Sequence, residues 1–110
     1  MSISVKSKQK LGKEIKKQRE KTKLSQRKLA AICGITPQAL SDIENGVNFP
    51  SVDVFMKLVE NANFTNKEKM YDLYGELKET IPPDLLSFLI DNKDVVTELR
   101  QKIKQAEGAI

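Results

Sequence analysis

The feature that most constrains the fold is a pair of short helical segments separated by Gly34. Ser25 precedes the first segment and Thr36 precedes the second, and each hydroxyl can accept a hydrogen bond from an N–H of the following turn. Pro37 takes the first helical position of the second segment, where its missing N–H costs nothing. Gly34 adopts positive φ without steric cost, so the first helix is predicted to end there. Two helices joined by a tight turn are therefore predicted within residues 25–46.

Small and aliphatic side chains are expected to set the angle between these two helices. Ala30 is small where the helices would cross, and Leu40 and Ile43 lie three positions apart on one face of the second helix. The opposite face is predicted to carry one proline and small or polar side chains: Thr36, Pro37, Gln38, Ser41 and Asp42. Side chains of this size and polarity suit the floor of a DNA major groove.

Amphipathic patterns on either side predict an all-α fold. Residues 1–8 are polar and basic and are interpreted as a flexible basic arm, with a first helix beginning at Gln9. Two further helices follow, the fourth after the N-cap Ser51, so that five helices form a domain over residues 9–77. Glycine-rich phosphate loops and alternating strand patterns are both missing from the sequence.

A C-terminal helical segment is predicted over residues 82–106. Pro82 and Pro83 separate it from the preceding domain because proline interrupts a helix. Residues 92–94 either divide this segment into two helices or lie within one. Its apolar side chains recur at helical spacing and need a partner surface, which is either the fifth helix of the same chain or a second subunit.

The charge is unevenly distributed along the chain. Residues 1–28 contain nine lysines and two arginines against two glutamates, a net charge of +9, and the remainder carries −5, giving +4 overall. A basic N-terminal third is typical of a nucleic-acid-binding protein, although a solvated lysine-rich helix face has the same composition.

Composition excludes several classes of function. With no histidine and a single cysteine, Cys33, the chain offers neither an internal disulfide nor an ordinary zinc site or His-based catalysis, so we expect no enzyme, metal or cofactor. Its apolar runs are shorter than the roughly 18–20 residues of a membrane span. Since the N-terminus lacks the apolar region of a secretory signal, we expect a cytoplasmic protein that does not associate with membranes.

The central segment resembles the lambda-repressor-like helix-turn-helix regulators, also called the Cro/C1 or Xre family. The matching motifs are Leu24-Ser25-Gln26, Leu29-Ala30, Gly34-Ile35-Thr36, Leu40-Ser41-Asp42-Ile43-Glu44-Asn45-Gly46 and Pro50-Ser51. The resemblance extends over roughly residues 9–75. It implies a five-helix lambda-repressor-like DNA-binding domain, to which the C-terminal helical segment is appended, and a sequence-specific transcriptional regulator.

The resemblance also implies which side chains contact bases. Thr36, Gln38, Ser41 and Asp42 match positions on the recognition helix, the second helix of the pair, that contact base edges and the DNA backbone. Gln38 is the best candidate, since glutamine can pair with adenine N6 and N7. Pro37 departs from members with a polar residue there and could contact only a thymine methyl group.

Other positions match phosphate-binding and structural roles in the family. Gln26 matches a glutamine that binds a phosphate and supports the recognition helix, and Arg27 and Lys28 lie where they could reach phosphates. The backbone N–H groups of Asn45, Gly46 and Asn48 match a phosphate-binding loop. A structural ion pair is expected at two positions that match such a pair in some members: Arg19 and Glu44.

The function predicted from the sequence is a dimeric repressor that binds double-stranded DNA at a palindromic operator, because such an operator requires a two-fold protein. The side chains expected to mediate dimerisation are Leu85, Phe88, Leu89, Val96, Leu99 and Ile103. The alternative is an interaction module, such as an antitoxin, whose C-terminal helices bind a partner protein.

Overall fold

A computed structural model describes residues 3–108 and shows seven helices and no strand over that range. The helices are α1 (Val5–Lys21), α2 (Gln26–Cys33), α3 (Pro37–Glu44), α4 (Val52–Asn61), α5 (Lys67–Lys78), α6 (Pro83–Asp91) and α7 (Lys93–Gly108). The predicted all-α class is confirmed, with five helices followed by an appended C-terminal helical segment. None of the helices in residues 3–108 combines the length and the apolarity needed to span a membrane.

The polar residues expected at helix starts form N-caps. Ser25 Oγ accepts the N–H of Lys28 at 3.1 Å, and Thr36 Oγ1 accepts the N–H of Ala39 at 3.0 Å. Gly34 lies between these helices with φ of 70°, in the left-handed region that it was expected to adopt. The turn between α2 and α3 therefore follows from local backbone chemistry at three positions.

The first helix begins earlier than its apolar pattern predicts. It starts at Val5 and not at Gln9, so the prediction of a flexible arm over residues 1–8 is wrong for residues 5–8, while Met1 and Ser2 lie outside the described residues. Ser4 Oγ accepts the N–H of Ser7 at 3.1 Å and caps this earlier start. The lysine-rich turn that follows has no apolar face, but lysine is a good helix former and continues the helix.

The hydrophobic core lies entirely within α1 to α5 and their connections. Its buried residues are Leu11, Ile15, Leu29, Ala30, Cys33, Leu40, Ile43, Phe55, Leu58, Val59, Ala62, Phe64, Met70, Tyr71 and Tyr74. Tyr74 packs on Phe55 and Phe49 with ring centroids 4.5 and 4.9 Å away. Its hydroxyl donates to the Pro50 carbonyl at 2.9 Å, which ties the connection after α3 to α5.

Two glycines allow α1 to approach the end of α3 closely. A Cβ on Gly12 would clash with the Ile43 carbonyl oxygen and lie 2.7 Å from that of Glu44. Gly46, with φ of 74°, lies against α1, where a Cβ would be 2.9 Å from Gln9 Cα. Only a residue without a side chain fits at either place, so the backbones of α1 and the last turn of α3 are in direct contact.

The C-terminal segment is two helices and not one. Asn92 separates α6 from α7 with non-helical dihedral angles, and its side-chain amide donates to the Phe88 carbonyl at 2.8 Å. The segment packs loosely, since α6 buries only Pro83 against the domain and α7 has no buried residue. These two helices therefore contribute little to the core that positions α3.

Candidate nucleic-acid interface

The outward face of α3 carries the polar side chains expected from the sequence. Thr36, Pro37 and Gln38 are exposed, and Ser41 and Asp42 are partly exposed on the next turn. The inward side chains Leu40 and Ile43 are buried, and α3 packs against α1 and α2. The structure therefore presents all five predicted contact residues on one surface, and the aliphatic side chains hold the helix from behind.

The end of α3 is held by an ion pair between Arg19 of α1 and Glu44. Arg19 Nε lies 2.7 Å from Glu44 Oε2, and a second guanidinium nitrogen lies 3.0 Å from Glu44 Oε1. The Glu44 side chain is fully buried and that of Arg19 is 11% exposed. The hydrogen bond to Glu44 raises the pKa of Arg19, and a further guanidinium N–H donates to the Leu24 carbonyl at 2.8 Å.

Gln26 completes this arrangement from the start of α2. Its side-chain Nε2 donates to Glu44 Oε1 at 2.8 Å, so three elements meet at one carboxylate. We call Arg19, Gln26 and Glu44 the anchor network. The hydrogen bond to Glu44 gives Gln26 the supporting position that the resemblance implied, and its amide retains a second N–H donor.

The two side chains best suited to contact base edges are bonded to each other. Gln38 Nε2 donates to Asp42 Oδ1 at 2.9 Å, one helical turn away. An amide has two N–H donors and a carbonyl, so this bond leaves Gln38 one donor and its acceptor. That remaining pair is what adenine N7 and N6 require. The bond to Asp42 therefore holds the Gln38 amide in one orientation on the outward face of α3.

The loop after α3 differs from what the resemblance implied. The backbone N–H groups of residues 45–48 all donate within the protein: Asn45 to the Ser41 carbonyl at 2.9 Å, Gly46 to that of Ile43 at 3.2 Å, and Val47 and Asn48 to that of Asp42 at 2.8 and 3.3 Å. These internal hydrogen bonds occupy the N–H groups of Asn45, Gly46 and Asn48 that the resemblance assigned to phosphates, and that assignment stays a prediction. The exposed residues of this loop are Asn45, Val47 and Asn48.

Basic side chains lie on two sides of α3. Arg27 and Lys28 are exposed in the first turn of α2, and neither belongs to the three ion pairs found in residues 3–108. On the other side, Lys13 and Lys16 of α1 lie beside Asn45. Sequence reasoning did not single out these two lysines. The signal that could have found them is Gly12, because a glycine inside an amphipathic helix often marks a close backbone contact.

The predicted dimerisation residues lie away from α3, on α6 and α7. Phe88, Leu99 and Ile103 are 54%, 42% and 57% exposed. Leu85 is also exposed, whereas Leu89 and Val96 are partly buried and line a groove between the two helices. The C-terminal segment thus leaves much of its apolar surface uncovered.

Cys33 is buried in the core and has no role at this surface. Burial raises the pKa of its thiol, which keeps it protonated and unreactive at neutral pH.

A short helix with a polar outward face, capped at its start, held by α1 and α2 at its end and flanked by basic side chains, is the arrangement of a helix-turn-helix DNA-binding protein. Residues 15–64 match the family model described as helix-turn-helix. Residues 15–64 therefore form a lambda-repressor-like domain of the Cro/C1 or Xre type, and the protein is a DNA-binding transcriptional regulator. No curated protein and no solved structure matches the chain significantly.

The buried ion pair gives a direct stability prediction. Glu44→Gln keeps the side-chain size but leaves the Arg19 guanidinium without its counter-charge, and losing one partner of a buried pair costs about 3–5 kcal/mol. We expect the free energy of unfolding, measured by urea titration at neutral pH, to fall by about that amount. The control is Asp53→Asn, which removes the exposed pair with Lys57 and should cost about 0–1 kcal/mol. Equal losses in the two variants would show that the Arg19–Glu44 pair contributes no more than a surface pair.

Proposed function

We propose that this protein is a dimeric repressor that binds a palindromic operator, with α3 of each subunit in the major groove. The observation that carries the proposal is the exposed polar face of α3, held rigidly by the anchor network at its C-terminal end. Its side chains are short or bonded to one another, which suits close approach to base edges. Repression follows most simply if the bound dimer occludes RNA polymerase.

Base contacts and phosphate contacts are assigned to different residues in this proposal. Thr36, Gln38, Ser41 and Asp42 supply sequence choice, and Pro37 contacts a thymine methyl group. Phosphates are bound by the following side chains of α2 and the loop after α3: Gln26, Arg27, Lys28, Asn45 and Asn48. Contacts to phosphate fix register and supply affinity but carry no sequence information by themselves.

Gln38 provides the sharpest test of DNA recognition. In Gln38→Ala, the contact to one base is lost, so the preference at one position of each half-site should relax by about 1–3 kcal/mol. The measurement is selection of bound duplexes from a random library, followed by affinity measurements on the selected site and its single-base variants.

The control for this experiment is Gln101→Ala on α7, which removes an equivalent amide far from α3. It should select the same consensus as the unchanged protein. If Gln38→Ala also selects that consensus with undiminished preference at every position, Gln38 does not contact a base. If the unchanged protein selects no consensus at all, sequence-specific operator binding is refuted.

Dimerisation is supported by the apolar surface of α6 and α7. Leu99 and Ile103 lie four positions apart on α7 and are about half exposed, so a second copy would remove both from water. A two-fold dimer places operator half-sites about one DNA turn, roughly 34 Å, apart. The same surface supports a second candidate function, in which α6 and α7 bind a partner protein as an antitoxin does.

Charge introduced on α7 distinguishes these two uses. The double variant Leu99→Asp/Ile103→Asp changes four side chains in a two-fold interface, because each substitution occurs in both subunits. Fully burying one side chain of this size contributes about 1.5–3 kcal/mol to the free energy of association. We therefore expect sedimentation velocity to show a dimer for the unchanged protein and a monomer for the variant. Val5→Asp, which charges a 64% exposed side chain on α1, should leave the dimer intact. A monomeric unchanged protein at concentrations that saturate DNA would refute dimerisation and favour the partner-protein function.

A further inference from the structure

A small cleft lies where α1 crosses the C-terminal end of α3. It is lined by Gln9, Lys13 and Lys16 from α1 and by Glu44 and Asn45 from α3 and its cap. The cleft adjoins the predicted base-contacting surface, because Asn45 immediately follows the last turn of α3 and its side-chain amide donates to Ser41 Oγ at 3.2 Å. None of its three α1 residues was assigned to DNA binding.

The position of the cleft is fixed by backbone contact. Gly12 lies against the carbonyl oxygens of Ile43 and Glu44, and Gly46 lies against Gln9, as described above. Lys13 follows Gly12 directly, and Lys16 lies one turn beyond Gly12. Both side chains therefore project beside the place where α1 crosses α3, and not into the core. Any movement of α3 relative to these lysines would require the two backbones to separate.

The charge of the cleft is positive despite the glutamate in its wall. The fully buried Glu44 carboxylate accepts both hydrogen bonds from Arg19 and is paired with that guanidinium. Lys13 and Lys16 are exposed, and neither belongs to the three ion pairs within residues 3–108. Glu20, one turn beyond Lys16, is also outside these pairs and so does not neutralise Lys16. Two lysine charges are thus available to an anion from solvent.

The loop beside the cleft creates a need for such donors. The backbone N–H groups of residues 45–48 all donate within the protein. A phosphate approaching this end of α3 would also meet the negative end of the helix dipole. Cationic side chains are therefore required if the DNA backbone is to lie against this part of the surface.

We propose that Lys13 and Lys16 bind DNA phosphates at the edge of the operator half-site, with Gln9 and Asn45 as additional donors. This inference rests on the proposed operator binding and assigns to α1 the phosphate contacts that the loop backbone does not make. Each lysine–phosphate contact releases condensed counterions, so the pair contributes to the salt dependence of binding but not to the choice of sequence.

The test compares two double substitutions on the same helix. Lys13→Gln/Lys16→Gln removes the cleft charges. Lys10→Gln/Lys21→Gln removes the same charge from residues that do not line the cleft, since Lys10 lines the groove between α1 and α5 and Lys21 lies in the last turn of α1. Binding to the selected operator duplex is measured across a range of salt concentrations. Two lost phosphate contacts should reduce the log–log slope by about 1.8 and lower the affinity at 0.1 M salt by roughly 60-fold.

The expected result is that only the cleft variant shows this change, that it selects the same consensus, and that Lys13→Arg/Lys16→Arg keeps the original slope. Equal changes in the two glutamine variants would overturn the inference, because they would indicate a general electrostatic attraction. An unchanged slope combined with reduced stability to urea would also overturn it, and would show that the lysines only offset the α3 dipole. If the unchanged protein has no preferred duplex, the proposed function itself fails, which is a different result from either of these.

Discussion

The structure depends on one buried carboxylate at the end of α3. Glu44 accepts hydrogen bonds from Arg19 of α1 and from Gln26 of α2, so three helices are joined at a single side chain. Burying an ion pair has a desolvation cost that can cancel its attraction, so its main consequence here is geometric and not a large gain in stability. α3 has only eight residues, and a helix this short has a fixed direction only when tertiary contacts provide it.

Direct backbone contact between α1 and the end of α3 reinforces that geometry. Gly12 and Gly46 remove the side chains that would otherwise separate the two elements. A rigid recognition surface has a functional consequence, because base contacts must be placed within a fraction of an ångström while phosphate contacts tolerate more freedom. By contrast, α6 and α7 are joined to the domain by few buried groups and leave several apolar side chains exposed.

Much of this architecture follows from local chemistry that is visible in the sequence. The caps at Ser25 and Thr36 depend on residues three positions away, and the inward face of α3 follows helical spacing. The earlier start of α1 was missed because its first turn has no apolar pattern and its cap, Ser4, lies in a polar stretch. The backbone N–H groups of residues 45–48 form hydrogen bonds within the protein because the loop folds back onto the carbonyl groups of α3. Sequence spacing does not specify this conformation of the loop.

We propose that the outward face of α3, oriented by the anchor network, is the surface that enters the DNA major groove. The most direct test is to titrate isotope-labelled protein with its selected duplex and follow the backbone amide signals by NMR. Entry of α3 into the major groove predicts that the largest shifts occur at residues 36–42, with further shifts at the start of α2 and in the loop at residues 45–48. It would be contradicted if the α3 signals stayed unchanged while the largest shifts fell on α6 and α7.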